Sequence, residues 1–403
     1  MVGHLDADCF YVSAERVRFA ELRGLSVGVL GNQGACVIAK SYEMKAHKVK
    51  TGMPIWEALM LCPHGVYVKR DFRWYEVLSR LMLEIVKEYS SEVEYYSIDE
   101  FFFRLASGTH EQLLACAKEM QTAIWERVGV PVSIGIARSR TLAKLISDTV
   151  KPFGAGVLMG QDAEREFLKG IPITEISGVA DRRAQRLLPW GITTCLDLAN
   201  ADRRLVRSLL TASGEVLWWE LNGDPVQSIN VKRTRHKAIA RGGSFGESTD
   251  DPNVIYAWLV RNLERLIEEL EYHRVMPQKI SVWVGYRQGK AGLGATSLTV
   301  PSDRFDILLE AGRTCLRKAY LPGLIAMRMH VISEKFSDHS PIQLGLFDEP
   351  DPRAQILAEL KHRVNARHGR FALRSGATLP LHAIYQDRAN SYDICDIRGK
   401  TCF

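Results

Sequence analysis

The clearest periodicity in the chain lies between residues 242 and 335. Asp251-Pro252 caps and opens a helix in which Ile255, Leu259, Leu263, Leu266, Ile267 and Leu270 form one apolar stripe, and Ser302 begins a second helix. Apolar, β-prone runs over 278–286, 294–300 and 325–333 predict strands. With a strand opening at 242, the order is βαββαβ, a split ferredoxin-like unit. Upstream, residues 163–223 carry only helical spacing. Residues 1–12 read as a strand, and 13–75 as a small mixed unit containing Val27-Gly28-Val29-Leu30. Residues 76–160 read as helix, strand, hairpin, helix, the strand Val130–Ala137 and a helix from near Arg140. Glycine pairs at Gly31/Gly34 and Gly292/Gly294 lack a Walker lysine and read as turns.

One stretch breaks its own pattern. In Tyr95-Tyr96-Ser97-Ile98-Asp99-Glu100-Phe101-Phe102-Phe103, two adjacent acids interrupt aromatic, strand-forming backbone. Carboxylates are expensive to bury unpaired, so the break is either a polar hairpin tip or a cation site. A second acidic stretch, Leu5-Asp6-Ala7-Asp8, follows the first strand, so three or more carboxylates can converge. Nucleotidyl transfer commonly uses two divalent ions about 3.5–4 Å apart, held by such acids. Asp6, Asp99 and Glu100 could supply that cage.

Composition narrows the class. The 403 residues, 46% of them hydrophobic, suffice for two to four domains, and a net charge of +6 permits a nucleic-acid partner without requiring one. Eight scattered cysteines form no CxxC pair, which argues against zinc and disulfides and fits a cytoplasmic protein. No apolar run approaches the ~18 residues of a membrane span, so no membrane association is expected.

Four motifs in order, Leu5–Tyr11, Val37–Glu43, Val49–Pro54 and Ser97–Glu100, resemble those of Y-family translesion DNA polymerases of the bacterial UmuC/DinB type. The resemblance spans roughly residues 1–347. It implies an α+β, multidomain right hand: a catalytic palm (1–12 and 76–160), fingers (13–75), a helical thumb (163–230), a basic linker (231–241) and a ferredoxin-like βαββαβ little finger (242–335), followed by a tail (336–403). It also implies template-directed, proofreading-free DNA synthesis by a monomer with two Mg²⁺ ions, on primer–template DNA and deoxynucleoside triphosphates. Asp6, Asp99 and Glu100 would be the catalytic metal ligands and Ala7 would lend its carbonyl, with the acids on the sheet's open face. Asp8 would not be a ligand.

For the nucleotide pocket the resemblance implies Tyr11 as a steric gate, with Phe10 beside it, itself read as core. Tyr42, Lys45 and Lys151 match positions that contact the triphosphate. Lys45 stands where an arginine is usual, exchanging a planar fork for a point charge. Ile38 is either a roof over the nascent base pair or strand core.

The segment Ile173–Ala180 looks like a helix-hairpin-helix with Gly178 at its turn and Ala180 in place of the second glycine, or else an ordinary helical packing unit. Lys232, Arg233, Arg235, Lys237 and Arg241, with no acid among them, would suit a phosphate backbone or plain solvent. Gln343-Leu344-Gly345-Leu346-Phe347 resembles the bacterial sliding-clamp motif, in which Gln343, Leu344, Leu346 and Phe347 would bind. The tail's Ile356, Leu357, Leu360 and Val364 predict one amphipathic helix. Two competing classes are an inactive polymerase-like scaffold at stalled forks and a metal-dependent nucleotidyl cyclase. Retention of all three carboxylates argues against the first, and the hairpin, linker and clamp motif argue against the second.

Overall fold

The computed structural model describes residues 1–31, 36–232, 236–338, 352–369 and 371–386. The chain divides into two compact units, Met1–Arg233 and Thr234–Phe403.

The first unit begins β1 (Val2–Ala7), α1 (Phe10–Arg18), β2 (Val27–Leu30), β3 (Val37–Lys40), α2 (Tyr42–Ala46), α3 (Ile55–Leu61), β4 (Val66–Lys69) and α4 (Phe72–Tyr89). It continues β5 (Val93–Tyr95), β6 (Glu100–Arg104), α5 (His110–Val128), β7 (Val132–Ala137), α6 (Arg140–Thr149), β8 (Ala155–Val157), α7 (Gln161–Lys169), α8 (Asp181–Leu187), α9 (Cys195–Asn200) and α10 (Arg203–Leu221).

The palm sheet has the order β5-β6-β1-β7-β8, with β1 antiparallel to both neighbours. Alternation sorts its side chains by face. Leu5, Phe101, Phe103, Ile134 and Ile136 share one face and are wholly buried. His4, Asp6, Glu100, Phe102 and Gly135 share the other. That face is not the open one the sequence suggests. Helix α6 lies on it, with His4 Nδ1 and Ser147 Oγ 2.7 Å apart, so the acids stand at the edge of a covered surface.

The first strand is also shorter than expected. Cys9 adopts a left-handed conformation (φ 47°), and α1 starts at Phe10. The run Cys-Phe-Tyr-Val is β-prone, but here tertiary bonds override propensity. Asp8 is drawn sideways: its carboxylate accepts the Ser133 hydroxyl at 3.1 Å and the Phe153 N–H at 2.7 Å.

The segment expected to be fingers contains a small sheet, β3-β2-β4, and α4 crosses the expected 75/76 boundary because Asp71 caps it by accepting the Trp74 N–H. Residues 163–221 are helical apart from connecting turns and one isolated bridge between Pro172 and Thr194, close to the helical span expected over 163–223. Leu168, Ile176, Leu187 and Leu198 of this span pack into one core with Leu142 and Leu145 of α6.

The second unit contains β9 (Ala238–Thr249), α11 (Pro252–His273), β10 (Val275–Tyr286), β11 (Ala291–Ser297), α12 (Phe305–Ala319), β12 (Ala326–Asp338), α13 (Pro352–His368) and α14 (His382–Gln386). Its antiparallel sheet runs β11-β10-β12-β9, so the last strand of the βαββαβ order sits between the first two. Asp251 caps α11 as expected, whereas α12 begins at Phe305, because Ser302 spends its hydroxyl on a turn to Arg304. Gly292 and Gly294 are not turn residues. They lie in β11, where a Cβ would come 1.9 and 2.0 Å from the carbonyl oxygens of Ala319 and Cys315, so only glycine lets α12 approach.

The folded unit does not end at 335. Lys361 Nζ and the Ser375 N–H both reach Glu264 Oε1, at 2.6 and 2.9 Å, docking the tail on α11. Among the described residues no helix is long and apolar enough to cross a membrane, and every cysteine is a free thiol.

Candidate active site

Asp6 and Glu100 are direct partners across the β1–β6 ladder. Cα atoms so paired lie about 4.5–5.5 Å apart with side chains on one face. Asp99 precedes Glu100 in the turn, and its carbonyl accepts the Ala7 N–H at 2.9 Å. A backbone bond thus ties the two acidic stretches together at one strand end.

Like charges directly opposite one another destabilise a sheet, and two lysines offset the repulsion. Lys151 Nζ is 2.8 Å from Asp6 Oδ2, and Lys144 Nζ is 2.5 Å from Glu100 Oε1. Asp99 Oδ1 accepts the Ser97 hydroxyl at 2.5 Å. Burial pushes Asp6 up to about 7 against the pull of Lys151, and the charges of Glu100 and Asp99 add to the rise.

Among the described residues no three His, Cys, Asp or Glu side chains stand close enough to form a finished metal cage. The donors nevertheless fit a hard divalent cation: three carboxylates and the Ala7 carbonyl are all oxygen, the set that Mg²⁺ prefers. Asp6, with 10% of its side chain exposed, is also a carboxylate that burial leaves under-neutralised. Asp8 stands outside this set, held by Ser133 and Phe153.

Of the residues the resemblance assigns to the nucleotide, Tyr42 and Lys151 touch the acidic stretch directly. Phe10 is core. Tyr11 stacks on Tyr75 (4.8 Å between centroids, 16°) and meets Phe72 edge-on, which holds its ring in one place. The Tyr42 hydroxyl donates to Asp8 Oδ1 at 3.3 Å, and Lys45 Nζ lies 4.1 Å from the Tyr42 ring centroid. Lys151 is shared between Asp6 and Asp148.

Ile38 is the extra residue of a β-bulge. Val29 pairs with Ala39 and Leu30 with Val37, leaving Ile38 unmatched and half-buried beside a fully buried Val37. Bulges of this kind re-aim a side chain.

Gly178 turns with φ +94°, and its carbonyl accepts from Arg183 Nη1 at 2.9 Å. Ala180 caps α8 without a side-chain bond, leaving the helix start's N–H groups unclaimed by a capping side chain. Lys232 and Lys237 are exposed. Arg233, Arg235 and the motif Gln343, Leu344, Leu346 and Phe347 lie outside the described residues.

Sequence reasoning missed Lys144. The signal was present, because Arg140, Lys144 and Asp148 recur every four residues along one face of α6. Ser133, the hydroxyl that claims Asp8, had no such signal.

Residues 5–148 match the impB/mucB/samB family, and residues 236–346 match that family's C-terminal domain. DNA polymerase IV 2 of Mesorhizobium japonicum is 31% identical over 361 residues, covering 86% of this chain and 85% of that protein. DNA polymerase IV of Bacillus velezensis is 27% identical (94% and 93%), and Protein UmuC of Salmonella typhimurium 28% (93% and 92%). Among solved structures, a Y-family DNA polymerase chimera of Dbh and Dpo4 superimposes with a TM-score of 0.72 at 22% identity, covering 83% of this chain and 98% of that one. DinB from Sulfolobus solfataricus gives 0.55 at the same identity and coverage.

Arg241 requires a correction. It belongs to β9 rather than to a linker, is 5% exposed, and pairs with Glu269, which also faces His273 Nε2 at 3.2 Å. A guanidinium committed to a buried carboxylate is not available to a phosphate. Arg241→Ala is expected to cost about 3–5 kcal/mol of stability in urea unfolding, the penalty of stranding a buried charge. The salt dependence of DNA binding should not change. A small stability loss with a shallower salt slope would restore Arg241 as a phosphate ligand.

Proposed function

The chain belongs to the impB/mucB/samB family of Y-family translesion DNA polymerases, and we propose that it extends primers past damaged bases with Asp6, Asp99 and Glu100 holding two Mg²⁺ ions. The observation that carries this reading is the cross-strand pairing of Asp6 with Glu100, locked by the Ala7–Asp99 backbone bond. When bound, the ions supply activation of the primer 3′-hydroxyl and neutralisation of the leaving phosphate. Asp6, Asp99 and Glu100, with the Ala7 carbonyl, would hold the ions. Retention of all three carboxylates supports catalysis over a scaffold role.

The remaining residues position substrate. Lys151, already between Asp6 and Asp148, borders the triphosphate, with Lys45 and Tyr42 on its other side. Lys45 binds as a point charge, without the two-pronged grip of an arginine. Tyr11, wedged by Tyr75 and Phe72, fills the space of a ribose 2′-hydroxyl, and the bulge at Ile38 supports a roof over the nascent pair. Gly178 and Ala180 present the thumb turn to a DNA phosphate, and Lys232, Arg233, Arg235 and Lys237 follow the backbone. Gln343, Leu344, Leu346 and Phe347 bind the sliding clamp, a proposal that rests on sequence alone. The protein acts as a monomer in the cytoplasm.

Asp99→Ala is expected to lower Mg²⁺-dependent primer extension about 10³-fold or more, since a lost ligand costs several kcal/mol of transition-state stabilisation. DNA binding should persist in a gel-shift assay, and near-parental extension would sink the metal-site assignment. Tyr11→Ala should admit ribonucleotides far more readily in single-nucleotide insertion. Unchanged sugar discrimination would mean that the ring guards something else.

A further inference from the structure

Lys144 touches two places at once. Its Nζ is bonded to Glu100 at 2.5 Å, and its side chain lines a cavity of about 100 Å³ between palm and thumb, together with Tyr96, Arg140, Glu175, Ser177 and Gln227. Ser177 is the residue before Gly178, so the cavity reaches from Lys144, the partner of Glu100, to the residue that precedes the glycine turn.

The two cations on its wall differ in how they are held. Arg140 is anchored by both oxygens of Glu94 (2.5 and 3.2 Å) and by the Ser228 carbonyl at 2.8 Å, which fixes its planar head. Lys144 is a compact ammonium on a flexible stem, and it is ion-paired with Glu100, the carboxylate proposed above to hold a metal ion, with Asp148 and Asp6 as weaker attractions. Glu100 Oε1 cannot satisfy the ammonium and a divalent ion equally. Once the carboxylate is given over to the ion, Lys144 loses its bonded counter-charge and keeps only the weaker pull of Asp148 and Asp6, and the adjoining space is this cavity.

We propose that Lys144 couples metal binding to DNA grip. It neutralises Glu100 while that carboxylate holds no divalent ion, and turns into the palm–thumb cavity to pair with a nucleic-acid backbone phosphate when the ion takes Glu100. It is thereby a positioning residue, exchanging one anion for another. The proposal rests on the polymerase reading and on Glu100 as a metal ligand.

The test is fluorescence anisotropy of a labelled primer–template over a salt series, without nucleotide, in EDTA or in Ca²⁺. Each phosphate contact contributes about 0.9 to the slope of log K against log salt. Lys144→Met should lose about 0.9 of slope in Ca²⁺ and none in EDTA, with Lys144→Arg restoring it. Loss in both conditions would mean a permanent phosphate contact, and loss in neither would mean no contact; either overturns the coupling.

Glu100→Gln provides a second route should the methionine variant fold poorly. It frees Lys144 without metal, so its slope in EDTA should exceed the parent's by about 0.9, and an unchanged slope overturns the proposal. Failure of the parent protein to extend a primer with Mg²⁺ would count against the polymerase reading itself. The slopes alone judge Lys144.

Discussion

The first unit depends on a pairing that ordinary sheet energetics disfavour. Asp6 and Glu100 stand opposite each other on antiparallel strands, each with little solvent to screen it. Cross-strand like charges cost stability, and burial compounds the cost. Two lysines offset it, and both reach in from α6 and the turn after it, Lys144 from inside the helix and Lys151 just beyond its end. The placement of α6 on the acid-bearing face follows from this arrangement. Gly135, where a Cβ would come 2.2 Å from the Ala143 carbonyl oxygen, lets the helix lie close enough for those stems to reach. An acidic strand end, a covering helix and its cations form one electrostatic unit.

The same logic explains why the neighbouring acid is different. Asp8 is only two residues from Asp6, yet Cys9 turns the chain there, and Asp8 is surrounded by donors: a hydroxyl from Ser133, a backbone N–H from Phe153 and the phenol of Tyr42. Those bonds tie β1 to β7 and to the segment after α6, and they offset only part of the burial that raises the Asp8 carboxyl. Asp6 keeps one lysine, and its burial leaves it with an appetite for a further positive charge.

Much of this was legible in the sequence, for identifiable reasons. The α11 stripe, the helical thumb, the strand–acid–strand break at Asp99-Glu100 and the α6 start near Arg140 are local signals, and the structure has them where periodicity and capping put them. The misreadings share one cause, a tertiary partner that a sequence does not display. Residues 8–12 look like strand until Ser133 and Phe153 claim Asp8. Arg241 looks like linker charge until Glu269 claims it, and Gly292 and Gly294 look like turns until α12 needs the room. The bulge at Ile38 is likewise a matter of register between two strands, invisible in either one alone.

The central claim is that Asp6 is a buried, partly compensated carboxylate waiting for a divalent cation. The measurement that tests it most directly is the affinity for Mn²⁺, followed by electron paramagnetic resonance across pH 5.5 to 8.5 on the DNA-free protein. Asp6 is raised to about 7, so below that pH a bound ion must displace its proton, while above it the carboxylate is already ionised. Affinity should therefore climb with pH and level off above about 7, and Asp6→Asn should abolish that dependence along with tight binding. Mn²⁺ affinity that is flat across this range, or that Asp6→Asn leaves intact, would contradict the account.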